Sequence, residues 1–338
     1  MRVVGGRIRT IRRAAPRGAH TRSVRGAYVS PGFIDLHVWG PIETIAREAV
    51  KGGTTAFLST LGPEPSRQLV SELSERASTK DLKGAAHLGV HLEGPFVNPR
   101  RGGALPKRWM RSATERKLNR LWRASRGCIR LMTLAPERQR ALGAIRWCAR
   151  HHIVASLGHS ESSANTAQQA VAAGARAVTH VFNGMPPLHH RHPSLLDVAL
   201  MDDRLKTMVI LDGVHVSPSA FRLLVRAKGA ERIALVTDSI AHQGWDVVKR
   251  GGAYYRRDGT LAGSALRMID AVRNAVELGG VSLADAVTMA TEVPAHLLGD
   301  RTRGVLDIGK RADLVVFNEQ FSVLMTIVNG NIVYQRGV

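Results

Sequence analysis

The sequence predicts an α/β protein built as a (β/α)8 TIM-type barrel. Three observations point there. The chain has 338 residues, enough for one large domain or two ordinary ones. Eight short β-rich runs follow one another, and amphipathic stretches lie between them, the pattern of parallel βα units. The runs are Gly32–His37, Thr54–Thr60, His87–Glu93, Cys128–Leu134, Ile153–His159, Arg176–Phe182, Thr207–Asp212 and Arg232–Asp238. Between them, Thr44–Lys51, Glu64–Ala77, Ser163–Ala173 and Ser219–Lys228 carry apolar residues at helical spacing. Eight such units make the barrel the leading architecture.

Composition narrows the class. Apolar residues make up 44% and charged residues 22%, which excludes disordered and fibrous chains. No run of about 18 apolar residues is present, so no membrane span is expected. Two cysteines, Cys128 and Cys148, cannot make a disulfide framework or a four-thiolate metal site. With no apolar secretory core at the N-terminus, the expected location is the cytoplasm.

The net charge of +21 lies in two windows: residues 1–29 carry eight Arg and no acid, and residues 100–150 carry 15 Lys or Arg against Glu115 and Glu137. A nucleic-acid surface is disfavoured, because aromatic content is only 5% and neither window has a recognition motif. An Arg-rich start also resembles a transit peptide, but Val3-Val4-Gly5-Gly6-Arg7-Ile8 reads as a strand, a turn and a strand. Solvated helix faces account for most of these charges, with steering of an anionic substrate as a modest addition.

The strand ends carry the functional expectation, because barrel active sites lie at the C-terminal face. His37, Glu93, His159, His180 and Asp238 fall at or near the ends of runs one, three, five, six and eight, and His215 follows run seven. One such histidine is ordinarily a core residue, but six acid/base or ligand types at one end of a barrel are not. A Glu with two His suits Zn²⁺ or a similar divalent ion with a position left open for water. Such an ion acidifies the water and polarises a carbonyl, and Asp238 is placed to move the proton. Metal-assisted hydrolysis is the expected chemistry.

The run Pro31-Gly32-Phe33-Ile34-Asp35-Leu36-His37 with Thr237-Asp238 resembles the amidohydrolase superfamily. Further motifs resemble the N-acetylglucosamine-6-phosphate deacetylase family: His91-Leu92-Glu93-Gly94-Pro95-Phe96, Gly158-His159-Ser160, Thr179-His180-Val181-Phe182-Asn183-Gly184-Met185, Asp212-Gly213-Val214-His215 and Leu261-Ala262-Gly263-Ser264. The similarity runs in order from about residue 27 to the C-terminus. It implies removal of acetate from an N-acetylated hexosamine 6-phosphate. By position, Glu93, His159 and His180 are the implied metal ligands and Asp238 the general acid/base. Asn183, Gly184 and His215 are the implied sugar-phosphate contacts. Arg191 matches an arginine that in relatives reaches the phosphate in a neighbouring subunit's site, which implies a homodimer. The family also carries a small β-sandwich built from both chain ends, so residues 1–29 plus 304–338 are expected to form it and 30–303 the barrel. Independently, Ala312–Phe317 and Ile327–Val333 read as strands around an Asn-Gly turn.

Three departures bear on the site. Many relatives carry His-x-His on strand one, supporting a second metal, whereas this chain reads His37-Val38-Trp39. Indole has no acceptor for a metal, so one divalent ion per chain is expected, Zn²⁺ first, with Fe²⁺, Mn²⁺ or Co²⁺ compatible. His37 is a candidate further ligand, or a residue in contact with the substrate, or a packed strand-end histidine. Secondly, relatives place a histidine beside the scissile carbonyl where this chain has Gly103-Ala104-Leu105, putting Ala104 and Leu105 at the substrate. Thirdly, a glycine-rich connection after Gly40 is missing. His242 and Trp245 are candidates to line the pocket. Trp109, Trp122 and Trp147 read as core or lid packing, and His189, His190 and His192 as solvated loop residues. Two rivals stay open: a hydrolase of another amide or of an unphosphorylated N-acetyl sugar, and a non-catalytic barrel that binds an acidic partner.

Overall fold

A computed structural model describes residues 1–12, 21–24, 26–79, 82–241 and 246–337. His242 and Trp245 lie outside the described residues. Strands Phe33–Trp39, Thr54–Leu61, Ala86–Glu93, Ile129–Leu134, Val154–Leu157, Ala177–Val178, Lys206–Val209 and Ile233–Leu235 are hydrogen-bonded in that order, each parallel to the next. Every residue of the first two is buried, as a sheet covered on both faces requires.

The eighth strand is broken. Ile233–Leu235 pairs with the seventh strand, and Val236 N–H still donates to the Val209 carbonyl at 3.0 Å. Two residues later the chain has changed partner: Asp238 N–H donates to the His37 carbonyl at 2.9 Å, and Ser239–Ile240 pairs with Val38 and Trp39 of the first strand. The barrel therefore closes at Thr237-Asp238. Past this seam, Leu261–Ser264 joins Ser239–Ile240 and carries an antiparallel hairpin, Val247–Arg250 with Ala253–Arg256.

Several of the helices between the strands start where short polar side chains cap them. Ser163 accepts from Thr166 N–H, Ser217 from Ala220 N–H and Thr114 from Lys117 N–H, and Ser194 forms a capping box with Asp197. Arg116, Arg120, Arg123, Arg146 and Arg150 are exposed on two of these helices, Glu115–Ala124 and Ala141–Arg150. The second basic window thus contributes solvated helix faces. Trp147 is buried and donates its indole N–H to Asn119, and Cys148 is buried beside Met132. Burial pushes the two thiols up, Cys128 to about 11 and Cys148 to about 12, which leaves them as inert apolar groups.

A smaller antiparallel sheet combines both chain ends. Ala27–Pro31 pairs with Leu314–Asn318, which pairs with Val323–Val328, which pairs with Asn331–Gln335. Asn329 and Gly330 turn the last hairpin with φ of 50° and 80°, the doubly positive geometry that an Asn-Gly pair accepts at low cost. Arg2–Val4 and Arg7–Thr10 form a separate two-stranded ribbon. The sheet is fastened to the barrel by the buried Thr326 hydroxyl, which donates to the Val50 carbonyl at 2.7 Å.

Candidate functional site

Glu93 ends the third barrel strand and points into the mouth of the barrel. Its Oε1 lies 2.9 Å from His180 Nε2 and 3.0 Å from His159 Nε2, and these two nitrogens are 3.2 Å apart. All three side chains are buried, with ligand-capable atoms within 4.8 Å of one another. The two histidines follow strands five and six rather than ending them, and both take left-handed backbone, with φ of 46° and 29°. That strained geometry bends each ring toward Glu93.

The donor set fits a divalent cation. His159 Nδ1 donates to the Arg101 carbonyl at 2.6 Å, and a carbonyl can only accept. With Nδ1 so committed, Nε2 is the nitrogen that faces the carboxylate and is left to ligate an ion. Burial opposes charge on His159, but the Glu93 carboxylate outweighs it and pushes the ring up from its ordinary value. Burial disfavours charge on Glu93, but His37 and the hydrogen bonds from His159 and His180 hold its carboxyl well below the usual range. An ionised carboxylate and imidazole nitrogens converging on one point form a group that could hold a divalent metal ion.

His37 lies on the other side of Glu93, its Nε2 3.2 Å from Oε2 and 3.3 Å from Asp238 Oδ1. It is fully buried, which opposes its charge, but the Glu93 and Asp238 carboxylates outweigh burial and push it up to about 9. Asp238 sits at the barrel seam with φ of 49°. Its Oδ1 also accepts the Trp39 indole N–H at 2.8 Å.

These residues open onto a cavity of about 1020 Å³. Glu93, His159, His180, Asp238, Asn183, Gly184, His215, Ala104 and Leu105 line it. His215 is fixed by Asp212, whose carboxylate accepts its Nδ1–H at 2.6 Å and its backbone N–H at 2.7 Å. Arg191 stands apart in an exposed loop and hydrogen-bonds His190 Nε2 at 3.0 Å. After Gly40 the chain enters helix Ile42–Ala49 directly, so Pro41, Ile42 and Glu43 form the rim.

The amidohydrolase family profile matches residues 28–333. The chain belongs to the amidohydrolase family. It is 34% identical to the N-acetylglucosamine-6-phosphate deacetylase of Bacillus subtilis (strain 168), over 97% of this chain and 91% of that one. It is also 34% identical to the N-acetylgalactosamine-6-phosphate deacetylase of Escherichia coli O157:H7, over 89% and 86%. A mutant N-acetyl-D-glucosamine-6-phosphate deacetylase from Mycobacterium smegmatis, solved in complex with N-acetyl-D-glucosamine-6-phosphate, superimposes with a TM-score of 0.87 at 30% identity, covering 98% of this chain and 94% of that one.

Several supports of this amidohydrolase site were not apparent in the sequence. The Arg101 carbonyl that fixes His159 Nδ1 as a donor lies in the basic window, whose sequence signals only charge. Asp35 stands in the sequence inside the Pro31–His37 run, with nothing in the pattern to mark its role. In the structure it is buried, accepts the His37 and Thr237 N–H groups on Oδ1 at 3.1 and 3.2 Å, and accepts the Thr237 hydroxyl on Oδ2. Burial nonetheless pushes its carboxyl up to about 6. Below the metal-type cluster, His91 bonds the Leu36 carbonyl through Nδ1 and Thr133 through Nε2, and Thr133 continues to Thr179 and Ser156. Burial holds His91 well below the ordinary histidine range, so the ring is neutral, donating from Nδ1 and accepting at Nε2.

Proposed function

We propose that this amidohydrolase removes the acetyl group from an N-acetylhexosamine 6-phosphate, N-acetylglucosamine 6-phosphate first, releasing acetate and the amino sugar phosphate. The observation that carries the reading is the convergence of Glu93, His159 and His180 beside Asp238 in the cavity lined by Asn183, Gly184 and His215. The relatives named for this activity over nearly the whole chain support it.

Glu93, His159 and His180 would hold one divalent ion, Zn²⁺ first, with Fe²⁺, Mn²⁺ or Co²⁺ compatible. When bound, such an ion acidifies water and polarises a carbonyl. Asp238 accepts the proton of the attacking water on Oδ2 and returns it to the amine nitrogen as the C–N bond breaks. His37, with Nε2 between the two carboxylates, holds Glu93 and Asp238 in place. Asn183, Gly184 and His215 receive the sugar phosphate. Arg191, exposed and not among the residues lining the cavity of its own chain, suits a homodimer in which it reaches the phosphate in the neighbouring site. The same reading takes residues 30–303 as the catalytic unit, 1–29 plus 304–338 as its buttress, and the cytoplasm as its location.

Leu105 supports a second reading. It lines the cavity where relatives place a carbonyl-polarising histidine, and with about 1020 Å³ available another amide or an unphosphorylated N-acetyl sugar would fit. The test is acetate release from N-acetylglucosamine 6-phosphate, its galacto epimer and the unphosphorylated sugars, with metal content measured on the wild type and on Asp238→Asn. Turnover of a phosphorylated sugar, lost by roughly 10³-fold in a variant that keeps its ion, is the expected result. Bound metal with turnover only of an unphosphorylated amide replaces the first reading with the second.

A further inference from the structure

We propose that Trp39 is a positioning residue for Asp238, its indole N–H holding one carboxylate oxygen in place of a second metal ion. The inference rests on the deacetylase reading above and adds a task for a residue that departs from the His-x-His pattern. Trp39 ends the first barrel strand two residues after His37, so both side chains leave the same face of that strand. Ile240 is its partner across the seam, and its carbonyl accepts Ala241 N–H at 2.8 Å. Donor and acceptor are therefore carried on two strands locked in register.

From there Trp39 Nε1 reaches Asp238 Oδ1 at 2.8 Å, and His37 Nε2 lies 3.3 Å from the same oxygen. Among the described residues no hydrogen bond falls on Oδ2, while Asp238 lines the cavity. A carboxylate with one oxygen held and the other open presents a single basic site to the reacting atoms. The donor suits this task, because indole N–H only donates. Trp39 cannot take the proton that Asp238 picks up, and cannot recruit an ion of its own.

The ring is itself fixed. Trp39 is 8% exposed. A Cβ placed on Gly62 would lie 3.2 Å from the edge of the Trp39 ring and 3.5 Å from Leu105 Cδ2, so the indole packs closely against the Gly62 backbone and a side chain there would press on it. Indole, Gly62 and Leu105 together form an apolar wall that occupies the space beside Asp238.

The test uses the full-length wild type, Trp39→Phe and Trp39→His, with ions per chain counted by atomic emission after loading and dialysis, and acetate release measured on N-acetylglucosamine 6-phosphate. Trp39→Phe keeps a ring and loses the donor. We expect one ion as in the wild type, KM within about twofold, and kcat lower by roughly 10- to 100-fold, the range for a hydrogen bond to a charged group. Trp39→His restores the His-x-His pattern and is expected to hold a second ion and to recover most of the turnover. Wild-type kcat in Trp39→Phe, two ions in the wild type, or one ion and slow turnover in Trp39→His would each overturn the proposal. If the wild type releases no acetate, the deacetylase reading fails by itself. The ion counts then still decide: one, one and two support Trp39 as the substitute for a second ion, and any other set refutes it.

Discussion

Asp35 accepts the Thr237 hydroxyl on Oδ2 at 2.5 Å, joining the first barrel strand to the residue before Asp238. The same carboxylate takes the backbone N–H groups of His37 and Thr237 on Oδ1. One buried side chain thus fixes the backbone on both sides of the seam.

Removing that clasp should cost both stability and turnover. Asp35→Ala takes the acceptor from two buried N–H groups and leaves the Thr237 hydroxyl only Ser239 Oγ and the His37 carbonyl, and we expect a loss of about 3 kcal/mol in unfolding free energy. Asp35→Asn keeps an amide oxygen for the two N–H groups and removes a buried charge, so it should lose less than about 1 kcal/mol. Chemical denaturation of both variants checks the difference. Equal losses would mean that the Oδ1 bonds do not matter.

Metal removal gives a second expectation. A chelated protein loses the ion on which Glu93, His159 and His180 converge, so its melting temperature should fall and return when Zn²⁺ is added back, as binding to the native state alone requires. Glu93→Gln should hold well under one ion per chain after dialysis. A full ion in that variant would remove Glu93 from the ligand set.

Leu105→His supplies a donor beside the cavity. If the missing donor limits the reaction, kcat should rise by roughly 10-fold or more, since one such donor is worth about 10²–10³ where it is present. A fall in activity would show instead that the apolar wall formed with Trp39 receives part of the substrate. A series of N-acyl groups of increasing length, compared by kcat/KM, would then measure that wall directly.

His87 sets an acid limit. Burial, and then the Arg76 guanidinium, push its ring down from 6.5 to about 4, while its Nε2 bonds Ser59 at 2.9 Å. Between those values the unfolded chain binds a proton that the folded chain does not, so stability falls as pH falls from 6.5 to 4. The total is on the order of 3 kcal/mol. His87→Gln should flatten this part of the pH profile, measured from denaturant midpoints at pH 7 and pH 5. An unchanged slope would place the sensitivity elsewhere.

Much of this site was legible in the sequence because barrel chemistry collects at strand ends. Glu93, His159, His180 and Asp238 could be placed by counting runs, and the structure brings them together. Boundaries were less legible: strands five and six stop at Leu157 and Val178, and their histidines sit beyond them in left-handed turns. No pattern in a single chain announces such a turn at a non-glycine residue. The carbonyl of Arg101 left no trace, since a backbone acceptor has no sequence identity. Trp39 was legible as a residue that cannot bind metal, but its bond to Asp238 depends on a seam whose register only the folded sheet supplies.

The pairing of Ala27–Pro31 with Leu314–Asn318 constrains the order of events during synthesis. The strand that leads into the barrel finds its sheet partner only when nearly the whole chain has left the ribosome. Until then a stretch containing Tyr28 and Val29 presents an unpaired edge, while the βα units behind it can already form from local contacts. Truncation at the C-terminus should therefore act on a distant N-terminal strand before it acts on the metal ligands, and nascent chains should be most aggregation-prone just before the last hairpin emerges.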